Sequence, residues 1–288
     1  MTIRTILVPM TGGESCQSAA EAAARVAKAF GGHLFGLHVR SDAAASVPYV
    51  ADGLTADLVH ELVTSAEKEG ERRSGRAREI FDSMCQTFDL DTKTPAGEAN
   101  TPTAHWEGRT GMIGEVISRE ARIMDLTVVP QPDIEADPVT AGLMDEVMTR
   151  SGRAVLMAPK SLPEHVSARV MIAWNGSTEA ARAVADSLPF LLKAEEVYVL
   201  TVDDMTKGRP SGEALAAMLS CHGLTPQVLK QTVNEDGIGE TILAEATARD
   251  CTLLVVGAYS HSRWRELVLG GVTRTVIDKA QMPVLMSH

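Results

Sequence analysis

The sequence predicts an α/β fold of two doubly wound parallel-sheet domains in tandem, and three observations predict it. Apolar residues come in short continuous runs, helical patterns alternate with those runs, and the two halves of the 288-residue chain repeat one order of elements. Short continuous apolar runs suit parallel strands covered on both faces, and alternation with helices implies right-handed βαβ crossovers.

The duplication is legible in three places. RTILVPMTGGESCQSAAEAAARVA from residue 4 is echoed by RVMIAWNGSTEAARAVADSLPFL from residue 169, each a strand, a glycine turn and an Ala-rich helix. MIGEVISREARIMDLTVV from residue 112 matches GIGETILAEATARDCTLLVV from residue 237, with Ile-Gly-Glu shared. SGRAVLMAP and AQMPVLMSH close the two halves with short strands. A polar, proline-containing join at KSLPEHVSA, residues 160–168, divides the chain into domains 1–160 and 161–288.

Periodicity assigns the elements. Ala19, Ala23, Val26 and Phe30, and Ala181, Val184, Leu188 and Leu191, recur every three or four residues as a helix face does. The strands read from the apolar runs are ILVPM, LFGLHV, LTVVP, AVLMAP, VMIAW, VYVLTV, TLLVVG and PVLM. Between its second and third strands the first half carries a long charged segment, Asp57 to Phe88, where the second has only about Ser211 to His222. Unbroken, the long segment spans about 45 Å at the helical rise, though Gly70 and Gly75 weaken its middle. Its Glu and Arg run reads as a solvated face, with a docking helix as the functional alternative.

Composition narrows the function. A formal charge of -11 argues against a nucleic-acid surface, so any anion site is local. Cys16, Cys85, Cys221 and Cys251 are scattered, with no Cys/His cluster at zinc spacing, and read as reduced structural thiols. His33 and His38 lie five apart on a strand, on opposite faces, and are no metal pair. Met144, Met148, Met157, Met282 and Met286 read as core filler. The opening MTIRTILVPM lacks a secretory pattern and nowhere do 18 apolar residues run together, so a cytoplasmic location with no membrane partner is expected.

In open parallel sheets ligands gather outside the carboxyl ends of the strands, at the point where strand order reverses. In the second half that edge presents Asn175, Gly176 and Ser177, then Val202, then Gly257 and the loop Ser260, His261, Ser262 and Arg263. Gly270 and Gly271 open the next helix, followed by Val272 and Thr273. Unpaired N–H groups at a helix start attract an anion, and phosphate is the natural guest. Arg265 and Arg274 add positive charge around the same loop. Structural explanations stand beside each: glycines that allow a tight turn, Asn175 and Ser177 as helix caps, arginines as solvated loop charges. A nucleophile–base reading of Ser260, His261 and Ser262 lacks an acid partner, and no catalytic residue is assigned.

These residues resemble the universal stress protein family, specifically its tandem two-domain members, over essentially the whole chain. The resemblance implies Rossmann-like domains of the adenine nucleotide alpha hydrolase-like kind. Members that bind ATP carry Gly-x-x-Gly, nine residues, then Gly-Ser or Gly-Thr after the fourth strand, and an Asp closing the first. Here the motif reads Gly257, Ala258, Tyr259, Ser260, nine residues from His261 to Leu269, then Gly270 and Gly271. Ser260 replaces the second glycine, where a left-handed backbone costs about 1 kcal/mol. Gly271 replaces the hydroxyl residue, Thr273 lies two residues on, and Asn175 stands at the Asp position. The first half departs further: Thr11 is at the Asp position and Pro130 and Pro132 remove the donors that a phosphate cradle needs.

The resemblance implies a cytoplasmic stress-response protein that binds ATP or another adenine nucleotide, with or without Mg2+, in the second domain. It also implies a pseudo-dimer of the halves through their fifth strands, with pairing of whole chains open to it. The alternatives are a nucleotide-independent interaction protein using the pseudo-dimer surface and long helix, and, more weakly, a slow nucleotide hydrolase with His261 as its sole nominee.

Overall fold

A computed structural model of the protein describes residues 2–41, 56–97, 101–133, 137, 140, 142–203, 206, 208–258 and 271–288. The first half runs β1 (Thr5–Pro9), α1 (Cys16–Phe30), β2 (His33–Arg40), α2 (Ala56–Thr87), β3 (Thr103–Thr110), α3 (Ile113–Ala121), β4 (Leu126–Pro130), α4 (Leu143–Arg150) and β5 (Val155–Ala158). The second repeats it with β6 (Arg169–Ala173), α5 (Thr178–Leu191), β7 (Glu196–Val202), α6 (Gly212–Ser220), β8 (Gln227–Gln231), α7 (Ile238–Ala248), β9 (Leu253–Gly257), α8 (Gly271–Lys279) and β10 (Val284–Ser287).

All ten strands form one sheet, ordered β3-β2-β1-β4-β5-β10-β9-β6-β7-β8. Pairing is parallel within each half. The halves join through β5 and β10, which run antiparallel with Val284 opposite Met157 and Met286 opposite Val155. The expected meeting of fifth strands is therefore present inside the chain, as a continuous sheet.

Register makes the duplication quantitative. Ile6 of β1 pairs with Leu126 of β4, and Val170 of β6 pairs with Leu253 of β9. Counting forward from those partners, Thr11 corresponds to Asn175, Gly12 to Gly176, Gly13 to Ser177 and Pro130 to Gly257. The two glycines after the first strands share a left-handed backbone, with φ of +69° at Gly12 and +67° at Gly176. Only glycine holds that conformation without a steric cost.

Helices cover both faces of the sheet, and each face carries an apolar layer that crosses the join. On one face α1 meets α5, where the rings of Phe30 and Phe190 pack edge to face at 5.1 Å. Arg25 of α1 donates to the carbonyls of Pro163 and Glu164 in the connector. On the other face Gln131 Nε2 donates to the carbonyl of Ile277 at 2.8 Å. The five methionines read as filler are all buried.

Two sequence expectations need correction. On α5 the buried stripe is Ala180, Ala183, Val184, Ser187 and Leu191, while Ala181 is exposed, because the helix begins one residue after Ser177 and its face is set by that start. Cys221 is exposed, unlike the other three cysteines, because α6 is a short helix lying over the outer strands. Helix α2 runs unbroken through Gly70 and Gly75 for 32 residues, anchored by buried Ala77, Phe81, Met84 and Cys85 in its second half. Tertiary burial overrides the local weakness of two glycines. Among the described residues no helix is long and apolar enough to cross a membrane.

Candidate functional site

Strand β6 lies between β9 and β7, so strand order reverses beside it and three carboxyl ends stand together. After β6 the chain makes a tight turn through Trp174, Asn175, Gly176 and Ser177. Trp174 is buried and its Nε1 donates to the Pro210 carbonyl at 2.9 Å. Asn175 Oδ1 accepts from the Ser177 amide at 3.0 Å, and Ser177 Oγ accepts from the Ala180 amide at 3.1 Å. Ser177 thus caps α5, satisfying one of the amides that a helix start leaves unpaired. Arg209 Nη1 donates to the Asn175 carbonyl at 3.4 Å. A methyl group on Gly176 would stand 2.7 Å from Arg209 Cβ, so this turn and the 208–211 segment are packed backbone to backbone.

The neighbouring strand ends are as tightly built. Val202 ends β7 and is buried. Asp203, with φ of +46°, accepts from the Val233 amide through Oδ1 at 3.2 Å and ties β7 to the segment after β8. Gly257 ends β9, and a methyl there would fall 2.4 Å from the Ala180 amide nitrogen. Its lack of a side chain is therefore required by packing against the start of α5, whatever else it does. Ala258 follows, donating to Ser287 O at 3.0 Å. On α8, Gly271 is exposed, Val272 half-buried and Thr273 buried. The loop positions Ser260, His261, Ser262, Arg263 and Gly270, with Tyr259 and Arg265, lie outside the described residues.

The corresponding edge of the first half is partly occupied by the protein itself, beside a cavity of about 210 Å3 lined by Thr11, His38, Arg40, Gly70, Arg73 and Ile113. Arg73 of α2 donates through Nε to the Thr11 carbonyl at 3.1 Å and through Nη2 to Asp137 Oδ1 at 2.9 Å. Asp137 is buried, at 1% exposure, while the Arg73 side chain is 20% exposed. A methyl on Gly13 would fall 1.9 Å from Asp137 Oδ2, and one on Gly12 would fall 2.1 Å from the Arg73 carbonyl. Burial beneath this loop pushes the Cys16 thiol pKa above its usual value. A cavity of about 260 Å3 elsewhere on this half, between α1 and α2, is lined by Gln17, Glu79 and Phe88 and stands apart from either strand edge.

Sequence reasoning missed Arg73, Asp137 and Arg209. Arg73 sits in a charged run that reads as solvated surface, yet it is one of the run's inward members, and no periodicity marks it. Asp137 lies in a stretch without strand or helix pattern. The one signal was the paired glycines at 12 and 13, which demand that something press close. Among the described residues no group of His, Cys, Asp and Glu is placed to hold a metal ion.

Two doubly wound α/β halves, duplicated and joined edge to edge through antiparallel β5 and β10, define the class. The model of the universal stress protein family matches residues 2–129 and 167–288, and the chain belongs to that family, with two copies in tandem. It is similar in structure to a universal stress protein from Archaeoglobus fulgidus DSM 4304, at 15% identity and TM-score 0.68, over 98% of this chain and 96% of that one. It is similar also to a functionally unknown protein from Pseudomonas aeruginosa PAO1, at 15% identity and TM-score 0.56, over 99% and 92% of the two chains. At such identities the likeness speaks to fold. No curated protein matches the chain in sequence.

Proposed function

We propose that this protein is a cytoplasmic stress-response protein that binds an adenine nucleotide in its second domain, residues 161–288, and that the first domain, 1–160, has lost its site. The observation that carries this reading is the contrast at the two strand-order reversals. Asn175, Val202 and Gly257 end adjacent strands of the second half, while the same place in the first half is taken by Arg73 and Asp137. Asn175 and Ser177 offer polar groups to a ribose. Val202 and its neighbours offer an apolar wall to a base. The loop from Ser260 to Gly270, with Gly271 and Thr273 beyond it, would hold phosphates, and His261 and Arg263 would add donors. Any Mg2+ would arrive on the phosphates.

The supporting chemistry is a helix start and a cation at an edge of an otherwise acidic chain, which attract an anion locally. Titration with ATP, ADP and AMP while following thermal unfolding tests the reading. A ligand at 100 times its Kd adds about 2.7 kcal/mol of stability, so a clear rise in melting temperature is expected. Gly271→Val should abolish that rise and keep the fold, since among the described residues a methyl at Gly271 meets no atom within 4 Å. A wild-type protein whose melting is unmoved by all three nucleotides would defeat the reading and favour the nucleotide-independent interaction protein. Half-exposed Leu62 on α2 is a contact point for that second reading. Phosphate release then decides turnover.

A further inference from the structure

We propose that Arg209 recognises the anionic group of the ligand in the second half, and that Arg73 with Asp137 is the protein's own imitation of that contact in the first. The inference rests on the nucleotide reading above and names the residue that meets the phosphate.

The two halves present the same construction at equivalent positions. Each first strand runs into a left-handed glycine, Gly12 or Gly176. In each an arginine donates to the carbonyl of the preceding residue, Arg73 to Thr11 at 3.1 Å and Arg209 to Asn175 at 3.4 Å. In each the arginine's own backbone or Cβ leaves no room for a side chain on that glycine. Duplication alone does not account for this. Arg73 comes from the middle of the 32-residue α2, whereas Arg209 comes from the turn ahead of Ser211, which caps the nine-residue α6. Two unlike elements deliver a guanidinium to one place, so the place itself calls for it.

What the guanidinium does there is visible in the first half. Having gripped the Thr11 carbonyl through Nε, Arg73 donates through Nη2 to Oδ1 of the Asp137 carboxylate, which lies against Gly13. Gly13 corresponds to Ser177, so the first half holds an anion directly over the turn that opens its first helix. In the second half Arg209 is exposed, and among the described residues the Asn175 carbonyl is the acceptor of its guanidinium. A guanidinium carries five N–H donors in a fork that suits the paired oxygens of a carboxylate or phosphate. The contact to Asn175 O uses one and aims the others. The occupant implied by Asp137 is an oxyanion, and for a nucleotide that oxyanion is a phosphate.

The test is calorimetric titration of the full chain with ATP, AMP and uncharged adenosine, using wild type, Arg209→Gln and Arg73→Gln. Arg209→Gln should weaken ATP and AMP by about tenfold or more, the usual scale of a hydrogen bond to a charged group, and leave adenosine unchanged. Arg73→Gln should lower thermal stability and leave all three affinities as they were. If Arg209→Gln weakens adenosine as much as ATP, the arginine is a strut for the turn and the inference falls. Equal ATP affinity in wild type and Arg209→Gln also overturns it, with the nucleotide reading intact. Wild-type protein that binds none of the three overturns the nucleotide reading and this inference together.

Discussion

The end of β1 and the end of β6 begin from the same turn and finish differently. At β1 two bare glycines let Arg73 and Asp137 press down over the turn as an internal ion pair. At β6 the second glycine is replaced by Ser177, whose hydroxyl caps α5, and the cation above it is exposed. In the first half a side chain at that position would collide with the Asp137 carboxylate, since a methyl on Gly13 would fall 1.9 Å from its Oδ2. The difference teaches that one duplicated turn can be finished in two ways, by a buried ion pair pressed against bare glycines or by a serine that caps the following helix.

The largest effect should come from breaking the ion pair over the β1 turn. Asp137→Ala leaves the Arg73 guanidinium mostly buried without its counter-charge and should cost about 3 kcal/mol in urea unfolding. Arg73→Leu with Asp137→Leu together should cost less than the single change, since no unpaired charge remains. A single variant of wild-type stability would mean that the pair is incidental to the turn. A somewhat smaller effect is expected at the edge of the second half. Gly257→Val sets a side chain against the start of α5 and should cost about 1 to 3 kcal/mol as overpacking. The same unfolding measurement on Pro130→Ala, at the equivalent place in the first half, should show a smaller loss. Equal losses at the two positions would erase the distinction between the edges.

The smallest effect is alkaline and compares one thiol from each half. Burial pushes Cys85 on α2 up to about 11, and burial likewise pushes Cys251 ahead of β9 up to about 11. Below the ordinary thiol value of 9.0 both folded and unfolded chains hold these protons, and stability is indifferent to them. Above it the unfolded chain loses them first, so stability falls as pH rises from about 9 toward 11. Each thiol should contribute no more than about 1 kcal/mol by pH 10.5, given its partial access to solvent. Cys85→Ala and Cys251→Ala should each flatten the fall in the urea midpoint between pH 8 and 10.5. Unchanged slopes would show that other groups dominate the alkaline loss.

Most of the fold was legible because eight strands carry continuous apolar runs and the repeats fix their order. The two that no run marked, β3 and β8, are the outer edges of the sheet, and their half-exposed residues mix Trp106 with His105, and Leu229 with Lys230, as an edge requires. The ends of β6 and β9 were legible too, since a glycine-containing turn follows the first apolar run and Gly257 closes the second. What covers those ends was not. Arg73 and Arg209 reach the edge from segments whose local pattern is that of any charged surface, and contact across 62 or 34 residues leaves no periodic trace. Gly257 shows the converse: the sequence allows room for a ligand or close helix–strand packing, and the structure shows that packing against the start of α5 requires it.

Strands β5 and β10 are buried along their whole length, and each spends the hydrogen bonds of one rim on the other. A cut in the connector of residues 160–168 yields two fragments that, if they part, each bare a greasy ribbon with unanswered amides along one rim. Such fragments have a ready remedy in re-docking, so the molecule tolerates a nick at the connector far better than the loss of either piece.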